Sequence, residues 1–323
     1  MPKSSLDFSA EIDQINSYLS DLRNQSPYDE EITELIDHIL KKGGKRIRPL
    51  ICLLSFEMIS KQERNDISYA AACALEVIHN ATLLVDDIFD KDIFRRKEKS
   101  FYLEFSTFAA ISLSYSMSSL ALSLATKTQV LEVVDELIKA LHTLSTSLFL
   151  EEKFRKGERK MTKDEAIKLI DRKTSCLFEA ASVIGGIIGN STKEDRELMK
   201  NFGIYFGRAF QLRDDILSLL SSEEELGKSG VWTDITNRIQ TYLVLKAFES
   251  TKNSDREILE KYYIKKEDFS PDQIKEIIIK SGSIDSLKTK VSHYVEKAVS
   301  ILEKFPHSVP RAKLIEITKS LKF

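Results

Sequence analysis

The chain has 323 residues, 48 of them basic and 50 acidic, for a formal net charge of −2. So close a balance gives no global field that would draw the protein to nucleic acid or to an anionic membrane, so any anionic ligand must be held by a local group of charges. Apolar residues at 42% suffice for a large buried core. Cys52, Cys73 and Cys176 have no CxxC spacing, which excludes a thiolate zinc cage and fits reduced core thiols in a cytoplasmic protein.

The six prolines stand at positions 2, 27, 49, 271, 306 and 310, and there are only eleven glycines. The long proline-free run between Pro49 and Pro271, rich in Leu, Ile, Ala, Glu and Lys, predicts an all-α fold. Nothing reads as a linker, so residues 1–323 are expected to form one all-helical domain. Residues 1–20 are too polar for a signal peptide. The most apolar stretch, 105–125, is crowded with serines and reads as a buried helix, so no transmembrane segment is expected.

In chain order, residues 6–23 and 28–42 read as amphipathic helices separated by Ser26-Pro27. Gly43-Gly44 stops the second. Lys45, Arg46, Ile47, Arg48 and Pro49 follow, then the apolar run 50–56. A basic cluster where a buried helix begins is placed to bind an anion, because backbone N–H groups point outward at that end.

Residues 76–96, EVIHNATLLVDDIFDKDIFRR, are the centre of the pattern. Val77, Ile78, Ala81, Leu84 and Val85 recur at helical spacing, and the same helix carries Asp86, Asp87 and Asp90. Asp86 and Asp90, four residues apart, share a face. In apolar surroundings they would repel unless a cation sat between them. Oxygen-only ligands on a rigid helix suit Mg²⁺, which commonly bridges a few carboxylates to substrate phosphates. Arg95 and Arg96 offer fork-shaped donors for a phosphate group, and His79 lies two turns before Asp86 on roughly the same side.

Further helices are expected over 105–126, 130–156, 163–189, 194–220 and from 232 to 249, with shorter, more polar ones over 253–323. Lys173-Thr174 interrupts the apolar part of 163–189. A second acidic pair, Asp214-Asp215, follows Phe210, Gln211 and Arg213 on another mostly apolar helix, and Gly227-Lys228 breaks the chain beyond it.

Together, GGKRIRP at 43–49, His79 with DDIFD at 86–90, RR at 95–96, KT at 173–174, FQLRDD at 210–215 and GK at 227–228 resemble, in order and approximate spacing, the trans-isoprenyl diphosphate synthases. The resemblance covers residues 40–250. It implies an isoprenoid synthase-type helix bundle with a central cavity, working as a homodimer. The implied activity is an Mg²⁺-dependent prenyltransferase that condenses isopentenyl diphosphate with an allylic diphosphate. It further implies that Lys45, Arg48, His79 and Arg96 hold isopentenyl diphosphate, that Asp86, Asp87, Asp90, Asp214 and Asp215 ligate Mg²⁺, and that Arg95, Lys173 and Lys228 contact the allylic diphosphate. Thr174 and Gln211 would line the reacting centre.

The chain departs from the family pattern in several places. Ser218 replaces the third aspartate of the second motif, a Gly-Gln pair is missing around 148–152, and Ile239 stands where a lysine is expected, with Arg238 beside it as a substitute. In the family, residues four and five positions before the first aspartate motif floor the cavity. Here they are the small Thr82 and Ala81, which leave it open toward a geranylgeranyl or longer product, with Tyr115 or Phe108 as a deeper floor. Two other readings compete. The departures favour a non-catalytic partner subunit, whereas the intact first motif does not. A class I terpene cyclase fits Asp214, Asp215 and Ser218 but has no need of the GGKRIRP cluster.

Overall fold

The computed structural model describes residues 8–25, 29–96, 98–156, 160–220 and 232–323. The chain is helical almost throughout, as expected. The helices are α1 (Ser9–Gln25), α2 (Glu30–Lys41), α3 (Ile47–Ser60), α4 (Asp66–Asp90), the short α5 (Phe101–Glu104), α6 (Thr107–Lys127), α7 (Leu131–Arg155), α8 (Lys163–Ile170), α9 (Cys176–Ile188) and α10 (Lys193–Leu220). After them come α11 (Thr233–Thr236), α12 (Tyr242–Ser250), α13 (Asn253–Tyr263), α14 (Pro271–Lys280), α15 (Ser283–Leu302) and α16 (Val309–Lys319). Among the described residues the only sheet is a hairpin, β1 (Phe94–Arg95) and β2 (Glu98–Lys99), in which Phe94 pairs with Lys99 and Arg95 with Glu98.

Helix α4 is the central rod. A capping box starts it: Asn65 accepts from the Ser68 N–H at 3.0 Å, and the Ser68 hydroxyl accepts from the Asn65 N–H at 2.9 Å. From Ala70 to Ile78 its residues are buried on every side, as befits a helix walled in by α3, α6 and α9. It ends at Asp90, where Lys91 takes a left-handed conformation (φ 54°). Its last carbonyls are bonded from elsewhere, by Arg155 Nη1 to Phe89 O at 2.7 Å and Asn237 Nδ2 to Asp90 O at 2.6 Å. The helix that carries the three aspartates therefore stops six residues before Arg96, and the hairpin turns Arg95 and Arg96 back toward α4.

Three expectations change. The 105–126 stretch starts at Thr107 behind a Ser106 N-cap, and only one of its faces is buried: Phe108 is 84% and Tyr115 72% exposed. Like α4, α6 is long and apolar enough to cross a membrane by length and composition. Residues 163–188 are helical throughout but include one π turn, Asp171–Ser175, which carries Lys173 and Thr174. Residues 232–249 form two helices separated by an irregular segment at 237–241. The buried core is one cluster running from Ile15 to Leu321. Gly207 lets α10 come close to the π turn, since a Cβ there would lie 2.5 Å from Ser175 Cα. That approach brings Thr174 beside Gln211.

Candidate active site

A cavity of about 560 Å³ opens between α3, α4, the hairpin, the π turn and α10. Its wall brings together Lys45, Arg48, His79, Thr82, Asp86, Arg95, Arg96, Lys173, Thr174, Gln211 and Asp214, residues up to 169 positions apart in the sequence. A smaller cavity of about 110 Å³ adjoins it and shares Lys173, Thr174 and Gln211; Asp90, Glu151, Asp215, Asp234 and Gln240 line it. The Thr174 hydroxyl donates to Gln211 Oε1 at 2.6 Å, and Gln211 Nε2 donates to Asp215 at 2.8 Å, which ties the π turn to the second aspartate pair.

The acidic side has the electrostatics of a cation site. Burial pushes Asp86 up from its ordinary pKa, with Lys173 opposing and Glu151 adding to it. Asp90 is pushed up to about 7 by burial, against Lys173, with Glu151, Asp86 and Asp234 adding. Asp215 is held well above the usual carboxylate range by burial and then by Asp234, against the Gln211 hydrogen bond. Carboxylates this crowded and desolvated favour a proton or a metal ion in their midst. Among the described residues no three acidic, imidazole or thiol groups converge as a ready-made cage. That suits Mg²⁺, which takes one or two carboxylates and completes its shell with water and phosphate. Lys173 pairs with Glu151 at 2.8 Å. Burial works against its charge, yet Glu151, Asp86 and Asp90 outweigh burial and push its pKa up.

The basic side surrounds His79. Burial, then Arg48, Arg96, Arg95 and Arg46, hold its imidazole well below its ordinary pKa, so the ring is neutral at pH 7. Arg48 stacks over Phe178 at 4.5 Å from the ring centroid, and its buried Nε meets no acceptor. Arg46, which also lines the cavity, is held in a buried ion pair with Glu76 at 2.6 Å and donates to Asn16 at 2.9 Å.

Several expected site residues sit differently. Asp87 is not aimed into the cavity beside Asp86: Arg95 clamps it through Nε at 2.7 Å and through Nη2. The clamp also occupies Arg95, which reaches Asp92 at 3.1 Å. Ala81 does not line the cavity; it is fully buried where Ser114 Oγ donates to its carbonyl at 2.9 Å across the α4–α6 contact. Tyr115 floors nothing within this chain, because its side chain lies on the outer face of α6. Arg238 does not replace the missing lysine: it pairs with Asp268 at 2.7 Å and stacks on Tyr262. Lys228 lies outside the described residues. The sequence reading passed over Glu151, Asp234 and Asn237. Glu151 stands within the very segment read as a lost Gly-Gln pair, Asp234 lies in the four-residue helix α11, too short to show a periodicity, and Asn237 follows it in the irregular segment.

Residues 29–280 match the family model described as polyprenyl synthetase. The chain is 32% identical over 272 residues, 82% of each chain, to a geranylgeranyl diphosphate synthase of Sulfolobus acidocaldarius. It is 30% identical over 306 residues, 93% of this chain and 92% of the relative, to a geranylgeranyl pyrophosphate synthase of Geoglobus acetivorans. A polyprenyl synthase from Caulobacter crescentus, solved with calcium and isoprenyl diphosphate, superposes with a TM-score of 0.88 at 27% identity, covering 97% of this chain and 94% of that one. The chain belongs to the polyprenyl synthetase family. It is a trans-prenyltransferase.

Proposed function

We propose that the protein condenses isopentenyl diphosphate with an allylic diphosphate and releases an all-trans polyprenyl diphosphate of geranylgeranyl length or longer. The observation that carries this reading is one cavity lined by both carboxylates and cations. Asp86 and Asp214 line it together with Lys45, Arg48, His79 and Arg96. Two anions of different character fit side by side: an allylic diphosphate gripped through metal, and isopentenyl diphosphate gripped by cations directly.

Asp86, Asp90, Asp214 and Asp215 would hold Mg²⁺. The Asp87–Arg95 clamp fixes the end of α4 that presents Asp86 and Asp90. Bound there, Mg²⁺ supplies positive charge that stabilises the departing diphosphate. Lys173 adds a half-buried ammonium at the junction of the two cavities, a point charge suited to a phosphate that moves during the reaction. Leu83, Leu177 and Phe210 present an apolar wall to the developing allylic cation and exclude water from it. Neutral His79 and the cations around it hold isopentenyl diphosphate so that its double bond faces that carbon.

The outer faces of α6 and α7 expose Phe108, Ile111, Tyr115, Leu131, Ile138 and Phe149, a patch that suits a second copy of the chain. We read the protein as a single-domain homodimer; sedimentation as a monomer at micromolar concentration would contradict this. Three free, buried cysteines support a reducing, cytoplasmic setting.

Diphosphate release separates the rivals. The proposed synthase releases it only with both substrates and Mg²⁺ present. A cyclase releases it from the allylic diphosphate alone, and a non-catalytic subunit from neither mixture.

A further inference from the structure

We propose that Asn80 is a positioning residue that aims Arg96 into the isopentenyl diphosphate half of the cavity while leaving its positive charge available to the ligand. The inference rests on the reading above that Arg96 contacts that diphosphate.

Glu76, His79 and Asn80 project from consecutive turns of α4, with Glu76 and Asn80 four residues apart and therefore neighbours on the helix surface. Asn80 is 2% exposed. Its Nδ2 donates to the Glu76 carbonyl at 2.8 Å and to Glu76 Oε1 at 3.2 Å, and its Oδ1 accepts from Arg96 Nη1 at 3.5 Å. The orientation of this amide is fixed by its neighbours. Turned over, it would set an oxygen against the two Glu76 acceptors and an NH₂ against a guanidinium.

The charge arithmetic gives the arrangement its meaning. Three guanidinium groups, Arg46, Arg48 and Arg96, share this side of α4 with one carboxylate, Glu76. Arg46 takes that carboxylate in the buried ion pair. Asn80 then offers Arg96 an acceptor without a charge, so the guanidinium is directed but not neutralised. The opposite side is closed by Gly44 (φ +146°), where a Cβ would fall 2.9 Å from Arg96 Nη2. Arg96 itself has φ 53°, a left-handed backbone that an arginine adopts only when its surroundings impose it. Glycine behind and asparagine beside thus confine the guanidinium on two sides at the edge of the cavity that it lines.

The test compares Asn80→Asp, Asn80→Ser and Arg96→Ala by steady-state kinetics in both substrates, with melting temperatures as the check on folding. A carboxylate at position 80 would neutralise Arg96, and the shorter serine would release it. Each is expected to raise KM for isopentenyl diphosphate about tenfold, the size of one lost charge-assisted contact. The KM for the allylic substrate and kcat are expected to stay within about twofold. If Asn80→Asp does not fold, Asn80→Ser is read in its place. An unchanged KM in the Asn80 variants, with Arg96→Ala raising it, overturns the positioning role and keeps Arg96 in the site. An unchanged KM in Arg96→Ala overturns the assignment beneath it. Equal losses for both substrates would make Asn80 a general structural residue and also overturn the proposal.

Discussion

Arg95 Nε donates to Asp87 Oδ1 at 2.7 Å, so the middle aspartate of the DDIFD motif faces the hairpin. Its neighbours Asp86 and Asp90 line the two cavities. One run of three carboxylates therefore has two tasks. Two side chains present oxygen to a cation, and the third anchors the turn that follows.

Those tasks separate under mutation. Asp86→Ala should lower turnover by about two orders of magnitude or more with little change in melting temperature, because it removes a metal ligand and no packing. Asp87→Ala should lower the melting temperature instead, because it strips Arg95 of one of its two buried partners. Steady-state rates and thermal melts on both variants check this. Turnover near wild type in Asp86→Ala would sink the metal assignment.

The Arg46–Glu76 pair should matter for stability. Both side chains are almost fully buried, at 2% and 3% exposure, and Glu76→Ala would strand a guanidinium in the core. The expected cost is about 3–5 kcal/mol, read from urea unfolding. A cost below about 1 kcal/mol would mean that Arg46 finds water or another acceptor.

How far the sequence reached can be judged from particular elements. The helical class, the α4 core stripe and the placement of Lys45, Arg48, His79, Asp86, Lys173 and Asp214 around one cavity were all legible, because each rests on helical period or on motif order. The end of α4 was not. Nothing local between Asp90 and Arg96 forbids a helix; the stop is fixed by Arg155 and Asn237, which bond the last carbonyls from 66 and 147 residues away. The direction of Asp87 was hidden for the same reason, since it follows from where the hairpin returns Arg95. Tyr115 was misplaced because apolar content alone does not tell a core-facing stripe from an outward one.

The neutral state of His79 gives a pH signature. Its folded pKa is lowered by burial and by four arginines, so below about pH 6.5 the unfolded chain binds a proton that the folded chain refuses. Stability should therefore fall as pH drops below about 6.5, by at most about 1.4 kcal/mol per pH unit from this group, and be fully present above it. Urea unfolding between pH 5 and 7.5 should give a shallower pH dependence for His79→Gln. Parallel curves would mean that the imidazole titrates normally.

The product length should respond to Thr82 rather than Ala81. Thr82 lines the main cavity, so Thr82→Phe should shorten the product. Ala81→Phe should instead overpack the α4–α6 contact at a cost of about 1–3 kcal/mol. Product sizing and thermal melts on the two variants separate these effects, and a shortened product from a fully stable Ala81→Phe would place the floor at position 81.

The most direct test of the account is incubation of the purified chain with Mg²⁺, labelled isopentenyl diphosphate and, in turn, dimethylallyl, geranyl, farnesyl and geranylgeranyl diphosphates, followed by sizing of the labelled products. The account predicts a ladder that ends at one length of twenty carbons or more and vanishes when the metal is chelated. No labelled product with any of the four primers would contradict it and leave the chain as a partner subunit that keeps the fold without the chemistry.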